Sequence, residues 1–487
     1  MFFVPPDIHR LKYIIIILFL YLPILSKTQQ IVYASAETGG RRSDFEIIGK
    51  VSDNFVVFKN GPSETSILLY DDNMNLINRV PLPIPVVPDK TIYLDFIAFE
   101  QFFYVLCEYQ KKNIVFLSAI KIEGQGRKMS SMFGIDSTLV NVSNTDKIYT
   151  KIISEDHQRW MTLKVVTNNS GYSFTTFLFD KNLNTIASNI SYLPGSDKMS
   201  VFSNYTLDND GELVFIQTEK IESAVIDHFS LITKSANAGQ FNIHAVATKE
   251  KIKDEMLLEV DNVNKRYLLS AFSRNRDKEY VDGIYTMIWN KIPDSLLTVS
   301  ATTFDDNLRR SCKSSQSNLK TSFEDYHLIK TIPKKNGDYL IISESEFSSE
   351  SGYAGVHLNN PLSGHALYSA DNAENILVLN FDKDGTLEWN NVLHKSQGDP
   401  NGNNQVSFGL FNAGKELHFL YNEKDKNALL LTDQILTSDG QLQRQAVLHN
   451  LDKGYTFMPK LGKQVSPNEM IIPCYLKFSL CFAKLKY

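Results

Sequence analysis

Residues 67–73 read ILLYDDN, an apolar stretch followed by a polar turn, and copies of this pattern along the chain indicate the fold class. Close copies read FLFDKN at residues 177–182 and VLNFDKDG at residues 378–385. Weaker copies occur at residues 120–124, 231–234, 287–290 and 436–440. Short runs of β-branched and aromatic residues, bounded by Asp, Asn or Gly, are typical of β-strands joined by tight turns. The sequence therefore predicts repeated pairs of strands.

The copies return at a nearly constant interval. The equivalent positions are Tyr70, Ile122, Phe179, Thr233, Trp289, Phe381 and Thr437. Successive positions lie 52 to 57 residues apart, except for one step of 92 residues, and a shortened eighth copy ends at residues 482–485. A repeat of this length holds one four-stranded sheet, which cannot bury both of its faces alone. Evenly spaced groups of four short strands therefore indicate radial repetition.

The chain is predicted to be all-β: a single β-propeller of eight four-stranded blades over residues 28–487. Seven blades are the alternative if one weak copy is misread, and a solenoid that does not close is the architectural rival. The last unit ends before its fourth strand, whereas the strand-like residues 29–35 belong to no unit. If this N-terminal strand completes the last blade, the ring closes and an exposed sheet edge disappears.

The period and the strand order resemble the β-propeller superfamily over residues 29–487, although no Trp-Asp, kelch or Asp-box signature is present. The chain is also similar to exported bacterial propeller proteins that have no assigned activity. The residues that carry this second resemblance are the turn at Tyr70 and Asp71 and the ending from residues 457–464 through Cys474 and Cys481. The resemblance implies a fold and no activity.

The N-terminus has the layout of a secretory signal peptide. Arg10 and Lys12 precede an apolar run at residues 13–25. That run is shorter than the roughly 20 residues that span a bilayer. We predict a signal peptide at residues 1–27, with cleavage as late as residue 36 and an uncleaved anchor as the alternatives. The mature chain is then expected to be exported, either periplasmic or secreted, without a membrane span.

Composition argues against several classes of function. Apolar residues make up 43% of the chain, charged residues 22%, and the net charge is −5. Nucleic-acid binding needs clustered Lys and Arg to displace counterions, so no nucleic-acid partner is expected. The sequence also lacks a Gly-x-Ser-x-Gly elbow and a glycine-rich loop that opens a helix. We therefore predict no catalytic residues, no cofactor and no metal.

One region departs from the repeat and is the predicted ligand site. The long step contains an insertion at residues 346–375, between the second and third strands of unit six. The resemblance implies that this insertion shares a face with the long link at residues 304–325, and long loops on rigid sheets commonly carry function. The candidate ligand-binding residues are Glu344, Glu346, Tyr353, His357, His365 and Asp371. A solvated loop that covers a neighbouring blade is the alternative.

Two of the four cysteines are predicted to face each other in the last hairpin. If its turn lies at residues 476–479, Cys474 stands opposite Cys481. Opposed residues have Cβ atoms about 4.5–5.5 Å apart, slightly more than a disulfide usually spans. A cross-strand disulfide and two buried free thiols therefore both stay open.

These features favour an exported binding or scaffold protein over an enzyme. It would hold a glycan, a peptide or an envelope protein on the propeller face that carries the insertion. The alternative is a glycan hydrolase or lyase, with carboxylates from several blades in the axial opening. Two carboxylates about 5–10 Å apart there would favour the hydrolase, whereas aromatic and neutral polar groups would favour binding.

Overall fold

The computed structural model describes residues 30–37, 44–61, 65–82, 91–140, 146–168, 170–195, 200–219, 225–348, 358–359, 366–367, 372–399, 404–425, 428–445 and 454–487. The predicted signal peptide at residues 1–27 lies outside this set. Within it, no helix is long and apolar enough to cross a membrane. Nearly every regular element of the described chain is a β-strand, as the repeat predicts.

Consecutive antiparallel strands form three four-stranded sheets, which we call units one to three. They follow a short N-terminal strand, β1 (Gln30–Tyr33). Unit one contains β2 (Asp44–Val51), β3 (Asn54–Asn60), β4 (Thr65–Tyr70) and β5 (Leu76–Pro81). Unit two contains β6 (Thr91–Ala98), β7 (Phe102–Lys111), β8 (Ile114–Glu123) and β9 (Phe133–Leu139). Unit three contains β10 (Tyr149–Ile153), β11 (Arg159–Asn168), β12 (Gly171–Asp180) and β13 (Thr185–Pro194).

Units four and five share one long strand and form a single seven-stranded sheet. The strands are β14 (Ser200–Leu207), β15 (Leu213–Glu219), β16 (Val225–Lys234), β17 (Asn242–Asp261), β18 (Arg266–Arg274), β19 (Gly283–Asn290) and β20 (Ser295–Thr303). The first part of β17 pairs with β16, and its last part pairs with β18. The sequence analysis missed this fusion, because no Gly or Pro interrupts residues 242–261 to signal a turn.

Units six to eight complete the described chain. Unit six contains β21 (Tyr326–Pro333), β22 (Tyr339–Phe347), β25 (Asn372–Phe381), β26 (Leu387–Leu393) and the short β27 (Gln397–Gly398). Between β22 and β25 lie β23 (Leu358–Asn359) and β24 (Ala366–Leu367). Unit seven contains β28 (Phe408–Asn412), β29 (Glu416–Asp425), β30 (Ala428–Thr437) and β31 (Leu442–Gln445). Unit eight contains β32 (Tyr455–Phe457), a 3-10 helix (Pro459–Leu461), β33 (Lys463–Ser466), β34 (Glu469–Leu476) and β35 (Ser479–Lys486).

The repeated aspartate in the turns has a direct structural reason. The Oδ1 atom of Asp71 accepts hydrogen bonds from the backbone N–H groups of Asn73 (2.9 Å) and Asn75 (2.8 Å). Asp180 and Asp382 accept the same pair of bonds from the residues two and four positions later. A side chain that satisfies two backbone donors fixes a tight turn, so the pattern recurs between the third and fourth strands of units one, three and six. Asp208 accepts the same two bonds between the first and second strands of unit four.

Apolar packing fills the spaces between successive units. Each of the eight described hydrophobic clusters lies between neighbouring units. One of them joins Phe55 and Tyr70 of unit one to Ile471 and Phe482 of unit eight. First strands of neighbouring units also contact one another: β2 contacts both β6 and β33, and β10 contacts β14. These contacts place the first strands at the centre, which is the arrangement of a β-propeller.

The two ends of the chain meet in unit eight, as the sequence predicts. Strand β1 pairs with β35 in antiparallel register, from Gln30 opposite Lys486 to Tyr33 opposite Ala483. In the same sheet Cys474 stands opposite Cys481, with their sulfur atoms 2.8 Å apart and both thiols free. The predicted register is therefore confirmed, and the disulfide stays a prediction.

The long link before unit six contains a helix that the sequence analysis did not predict. Helix α1 (Asp306–Cys312) begins after Asp305, whose side chain accepts a hydrogen bond of 2.8 Å from the backbone N–H of Leu308. Seven residues are too few to display a helical period, so only the cap could have indicated it. The link contacts the end of the insertion, where Ser315 donates through its N–H (2.9 Å) and Oγ (2.6 Å) to Glu374. The two segments therefore share one face of the molecule.

Candidate functional site

Two of the six predicted ligand-binding residues lie in the described chain. Glu344 and Glu346 stand near the end of β22, where the insertion begins. Tyr353, His357, His365 and Asp371 lie outside the described residues. The predicted site on this face is therefore represented by its two stem carboxylates, whose partners can be named.

Glu344 is a fully buried acid in an ion pair. Its Oε1 atom lies 2.6 Å from the Nζ of Lys395, and both side chains are shielded from solvent. The Oγ of Ser407 donates a hydrogen bond to its Oε2 atom. Burial raises the pKa of Glu344 to about 7 and lowers the pKa of Lys395, because a charge loses its hydration inside the protein. The pair ties unit six to the link that leads into unit seven.

Glu346 is the neighbouring acid on the same strand, and it also has a cation. Its Oε1 atom accepts a hydrogen bond of 2.6 Å from the Nζ of Lys460, in the 3-10 helix of unit eight. Its own N–H donates to the carbonyl of Asp325 at 2.9 Å. Nearby, the Nδ1 of His327 lies 2.9 Å from a carboxylate oxygen of Glu255. Glu344 and Glu346, the two predicted site residues in the described chain, are thus each held by a lysine.

A cavity of about 550 Å³ lies between units one, two, three and eight. Its walls come from β2, β6, β10 and β33, which are first strands of units one, two, three and eight. Residues 99–101 and 157–158 also line it, and they lie in connections between first and second strands. The insertion joins a second strand to a third. In an antiparallel sheet these two kinds of connection lie at opposite ends, so the cavity faces away from the insertion.

The charge of the cavity wall is predominantly positive. The charged lining residues are Lys50, Lys151, Lys181, Lys463 and Glu100, together with the imidazole of His157. Lys50 pairs with Glu469 at 2.8 Å, and Lys151 pairs with Asp95 and donates to the carbonyl of Phe96 at 2.8 Å. Half of the lysines are therefore neutralised by the protein itself.

The other two lysines keep donors for a ligand. The Nζ of Lys463 donates one hydrogen bond, of 3.0 Å, to the carbonyl of Ile48. Within the described chain, neither Lys181 nor Lys463 has a carboxylate oxygen within 4.0 Å. Both side chains are exposed, although desolvation of the ammonium group lowers the pKa of Lys463 while the charge of Glu46 raises it. An ammonium group carries three donors, so the wall presents charge that it does not itself compensate.

Aromatic and amide groups complete the wall. Phe99 and Phe102 are half-buried and have ring centroids 5.2 Å apart. The Nζ of Lys121 lies 3.6 Å from the ring centre of Phe102, over one of its faces. The amide side chains of Gln101 and Gln158 also line the cavity and are donors and acceptors at once. The wall thus combines flat apolar surfaces with polar groups, as small-molecule sites commonly do.

One carboxyl close to the cavity has an altered pKa. Glu46 lies two residues before Ile48 on β2 and is half-buried. Burial raises the pKa of Glu46 to about 7, while Lys151 and Lys463 lower it and Asp95 raises it further. Asp95 is itself bound by two ammonium groups, those of Lys151 and Lys147.

Sequence reasoning missed this cavity entirely. Its lining residues run from Ile48 to Val465 and belong to four units. No local motif links them, because each first strand contributes a few side chains and only packing around the axis brings them together. The one available signal was positional: most of these residues lie in first strands or in the connections between first and second strands, whereas Lys181 follows a third strand.

No protein-family model matches the chain, and the search of curated proteins found no relative. Among solved structures, the chain is similar to prolyl oligopeptidase B from Galerina marginata, with a TM-score of 0.43 and 9% identity over 90% of this chain and 56% of that one. An ulvan lyase of a polysaccharide lyase family has a TM-score of 0.39 and 8% identity, over 81% and 93% of the two chains.

The β-propeller domain of the Trilobed protease from Pyrococcus furiosus has a TM-score of 0.38 and 9% identity, over 82% of this chain and 96% of that one. The chain spans little more than half the length of the prolyl endopeptidases to which it is similar. At these identities and TM-scores, the similarities carry no argument about what this chain does.

Proposed function

We propose that this chain is an exported, non-catalytic binding protein whose ligand enters the axial cavity. The observation that carries the proposal is the cavity itself, of about 550 Å³, lined by side chains from four units. Its volume falls in the range of about 300–1,000 Å³ that is usual for ligand sites. Because Lys181 and Lys463 keep unused donors, the wall can recognise a ligand without rearranging its own ion pairs.

A closed ring of blades would hold the cavity in shape. We infer one propeller of eight blades, in which β1 completes the last blade and closes the ring. The pairing of β1 with β35 and the apolar cluster between units eight and one support it. In a closed ring, each first strand is held on both sides, so the lining residues are preorganised for a ligand.

The arrangement of carboxylates favours binding over hydrolysis. Among the described lining residues, Glu100 is the one carboxylate. A glycoside hydrolase needs two, one of them free to act as base or nucleophile. Glu344, Glu346 and Asp95 are each bound by a lysine, so none is free in that sense.

The raised pKa of Glu46 supports a second candidate, a glycan hydrolase. A carboxyl with a pKa of about 7 can donate a proton to a leaving oxygen at neutral pH. The partner would have to be Asp95, which would first have to leave Lys147 and Lys151. This requirement makes the hydrolase the weaker proposal.

The experiment is a screen of the purified protein on glycan and peptide arrays, repeated with a blocked cavity. Gln158 is exposed in the wall, so Gln158→Trp fills space without disturbing packed residues. Its control is Ile190→Trp, on the outermost strand of the same unit, where Ile190 is 74% exposed. We expect a ligand that the control retains and the cavity variant loses.

Two results would contradict the proposal. Ligands that bind equally well to the Gln158→Trp variant would place the site elsewhere. New reducing ends after incubation with the bound glycan, abolished by Glu46→Gln, would replace the binding protein with the hydrolase.

A further inference from the structure

We propose that the ligand of the axial cavity is an acidic oligosaccharide, bound through a carboxylate at Lys463 and Lys181. This inference rests on the proposed function, because it names the class of ligand for the same cavity. It is carried by Lys181 and Lys463, the two lining lysines of the described chain that have no carboxylate oxygen within 4.0 Å, set against one lining glutamate, Glu100. The net charge of the whole chain is −5, so this positive wall stands out from the rest of the molecule.

The four lining lysines fall into two pairs: two form ion pairs within the protein, and two keep donors for a ligand. Lys50 and Lys151 already have carboxylate partners, Glu469 and Asp95, and they shape the wall. Lys463 is oriented by its single bond to the carbonyl of Ile48, which leaves two of its three N–H donors for a ligand. Hydrogen bonds from an ammonium to a carboxylate are short and about twice as strong as neutral ones. An anionic group is therefore the ligand chemistry that the wall lacks and can accept.

The remaining lining residues favour a sugar as the carrier of that anion. Phe99 and Phe102 are half-buried, so part of each ring can meet a ligand. The ring faces are electron-rich and attract the weakly positive C–H groups on one side of a sugar. Gln101 and Gln158 can donate to and accept from hydroxyl groups, which sugars present in quantity. Apolar, amide and cationic groups together match a sugar acid.

The shape of the cavity disfavours an acidic peptide. Peptides in extended form commonly add to an open sheet edge or lie in a long groove. Here four units surround the space, and Lys463 already occupies the carbonyl of Ile48 on the inner edge of β2. A short chain entering by its end fits such a space better than an extended strand.

The test is calorimetric titration with uronic acid trimers of four kinds: galacturonate, glucuronate, mannuronate and guluronate. Each has a matched neutral trimer, made by reduction of its carboxyl groups, and a hexamer of glutamate represents the acidic peptide. We expect at least one uronate trimer to bind about tenfold or more tightly than its neutral counterpart. The difference should shrink at high salt, because ions screen the exposed part of the interaction.

Variants assign the effect to the two lysines. Lys463→Gln and Lys181→Gln keep length and polarity and remove one charge each. We expect each variant to weaken binding of the uronate about tenfold and to leave the neutral trimer unchanged. The control is Lys415→Gln, an exposed lysine in another connection between first and second strands that does not line the cavity. It should change neither affinity.

The outcomes separate this inference from the proposed function. Equal affinity for acidic and neutral trimers, abolished by Gln158→Trp, would overturn the anionic ligand and retain the cavity as a binding site. Binding of the glutamate hexamer alone would replace the sugar with an acidic peptide. If no trimer or peptide binds and the arrays give no ligand that depends on the cavity, both proposals fail.

Discussion

The insertion side and the cavity side of the molecule differ in whether their charged groups have partners of opposite charge. At the end that carries the insertion, Glu344 and Glu346 each lie 2.6 Å from a lysine, Lys395 and Lys460 respectively. At the cavity end, Lys463 is bonded to a backbone carbonyl and has no carboxylate within reach in the described chain. The sequence does not distinguish the two regions, because both read as charged loops of a repeat protein.

Buried charges that are paired hold the fold together, whereas charges without a carboxylate partner remain for a ligand. Breaking a buried pair leaves an uncompensated charge without water, so such pairs are expensive to disturb. An exposed charge with no partner can be removed with little effect on folding. The insertion end should therefore respond to mutation through stability, and the cavity end through binding.

The largest effect should follow the loss of the cation beside Glu344. We expect Lys395→Met to lower the free energy of unfolding by about 3–5 kcal/mol at pH 8, because a buried carboxylate is left unpaired. Urea denaturation followed by tryptophan fluorescence measures the change. The double variant Glu344→Gln with Lys395→Met also removes the unpaired carboxylate. It should recover most of the lost free energy of unfolding. A loss below about 1 kcal/mol would mean that this end is not held by its ion pairs.

A smaller effect should appear in the pH dependence of stability. The pKa of Glu344 is about 7 in the folded protein and lies near its usual value of 4.5 when unfolded. The folded state therefore binds the proton more tightly, so protonation of Glu344 favours folding at low pH. This contribution is lost as the pH rises from 4.5 to about 7.

Comparison of wild type with Glu344→Gln removes the titrating carboxyl. The pKa of Lys395 also falls in the variant, because Glu344 raises it, and a buried lysine with a lowered pKa changes the pH dependence of the difference in the same direction. Relative to the variant, wild type should lose about 1–3 kcal/mol between pH 4.5 and 7.5. Thermal unfolding across this range measures the difference. Parallel curves for the two proteins would show that Glu344 does not change its protonation on folding.

The smallest effect is expected at the cavity end. Lys463→Gln should change the free energy of unfolding by no more than about 0.5 kcal/mol, because its ammonium group forms no ion pair within the described chain and Glu46, with which it interacts from farther away, keeps Lys151 nearby. The same denaturation experiment applies. A loss of about 2 kcal/mol or more would show that Lys463 stabilises the fold, as the paired lysines near the insertion do.

The sequence predicted the fold to a useful depth because its cues are local. The aspartate of each turn, such as Asp71, bonds to residues two and four positions later, so the pattern is visible in any short window. The pairing of the N-terminal strand also followed from counting strands, and β1 lies where that count put it. The shared strand β17 escaped because the break between two units has no turn residue to mark it.

The candidate site was hardly predictable, for the opposite reason. Ile48 and Lys463 are joined by a hydrogen bond across 415 positions of sequence. Lysines that pair with acids and lysines that do not look alike in the sequence, and only the positions of Asp95 and Glu469 distinguish them. Glu344 and Glu346 were found because they flank an irregularity, although their lysines, Lys395 and Lys460, were not.

The pairing of β1 with β35 also constrains the order in which the sheets can form during synthesis. Tyr33 of β1 pairs with Ala483 of β35, 450 positions later (483 − 33), so β1 must wait for its partner until that whole stretch has been synthesised. Until then its backbone donors and acceptors have no native partner. Contacts between distant parts of a chain form slowly, and unpaired strands are exposed to aggregation meanwhile. Cells that produce this protein therefore need to keep β1 from aggregating until β35 has been made.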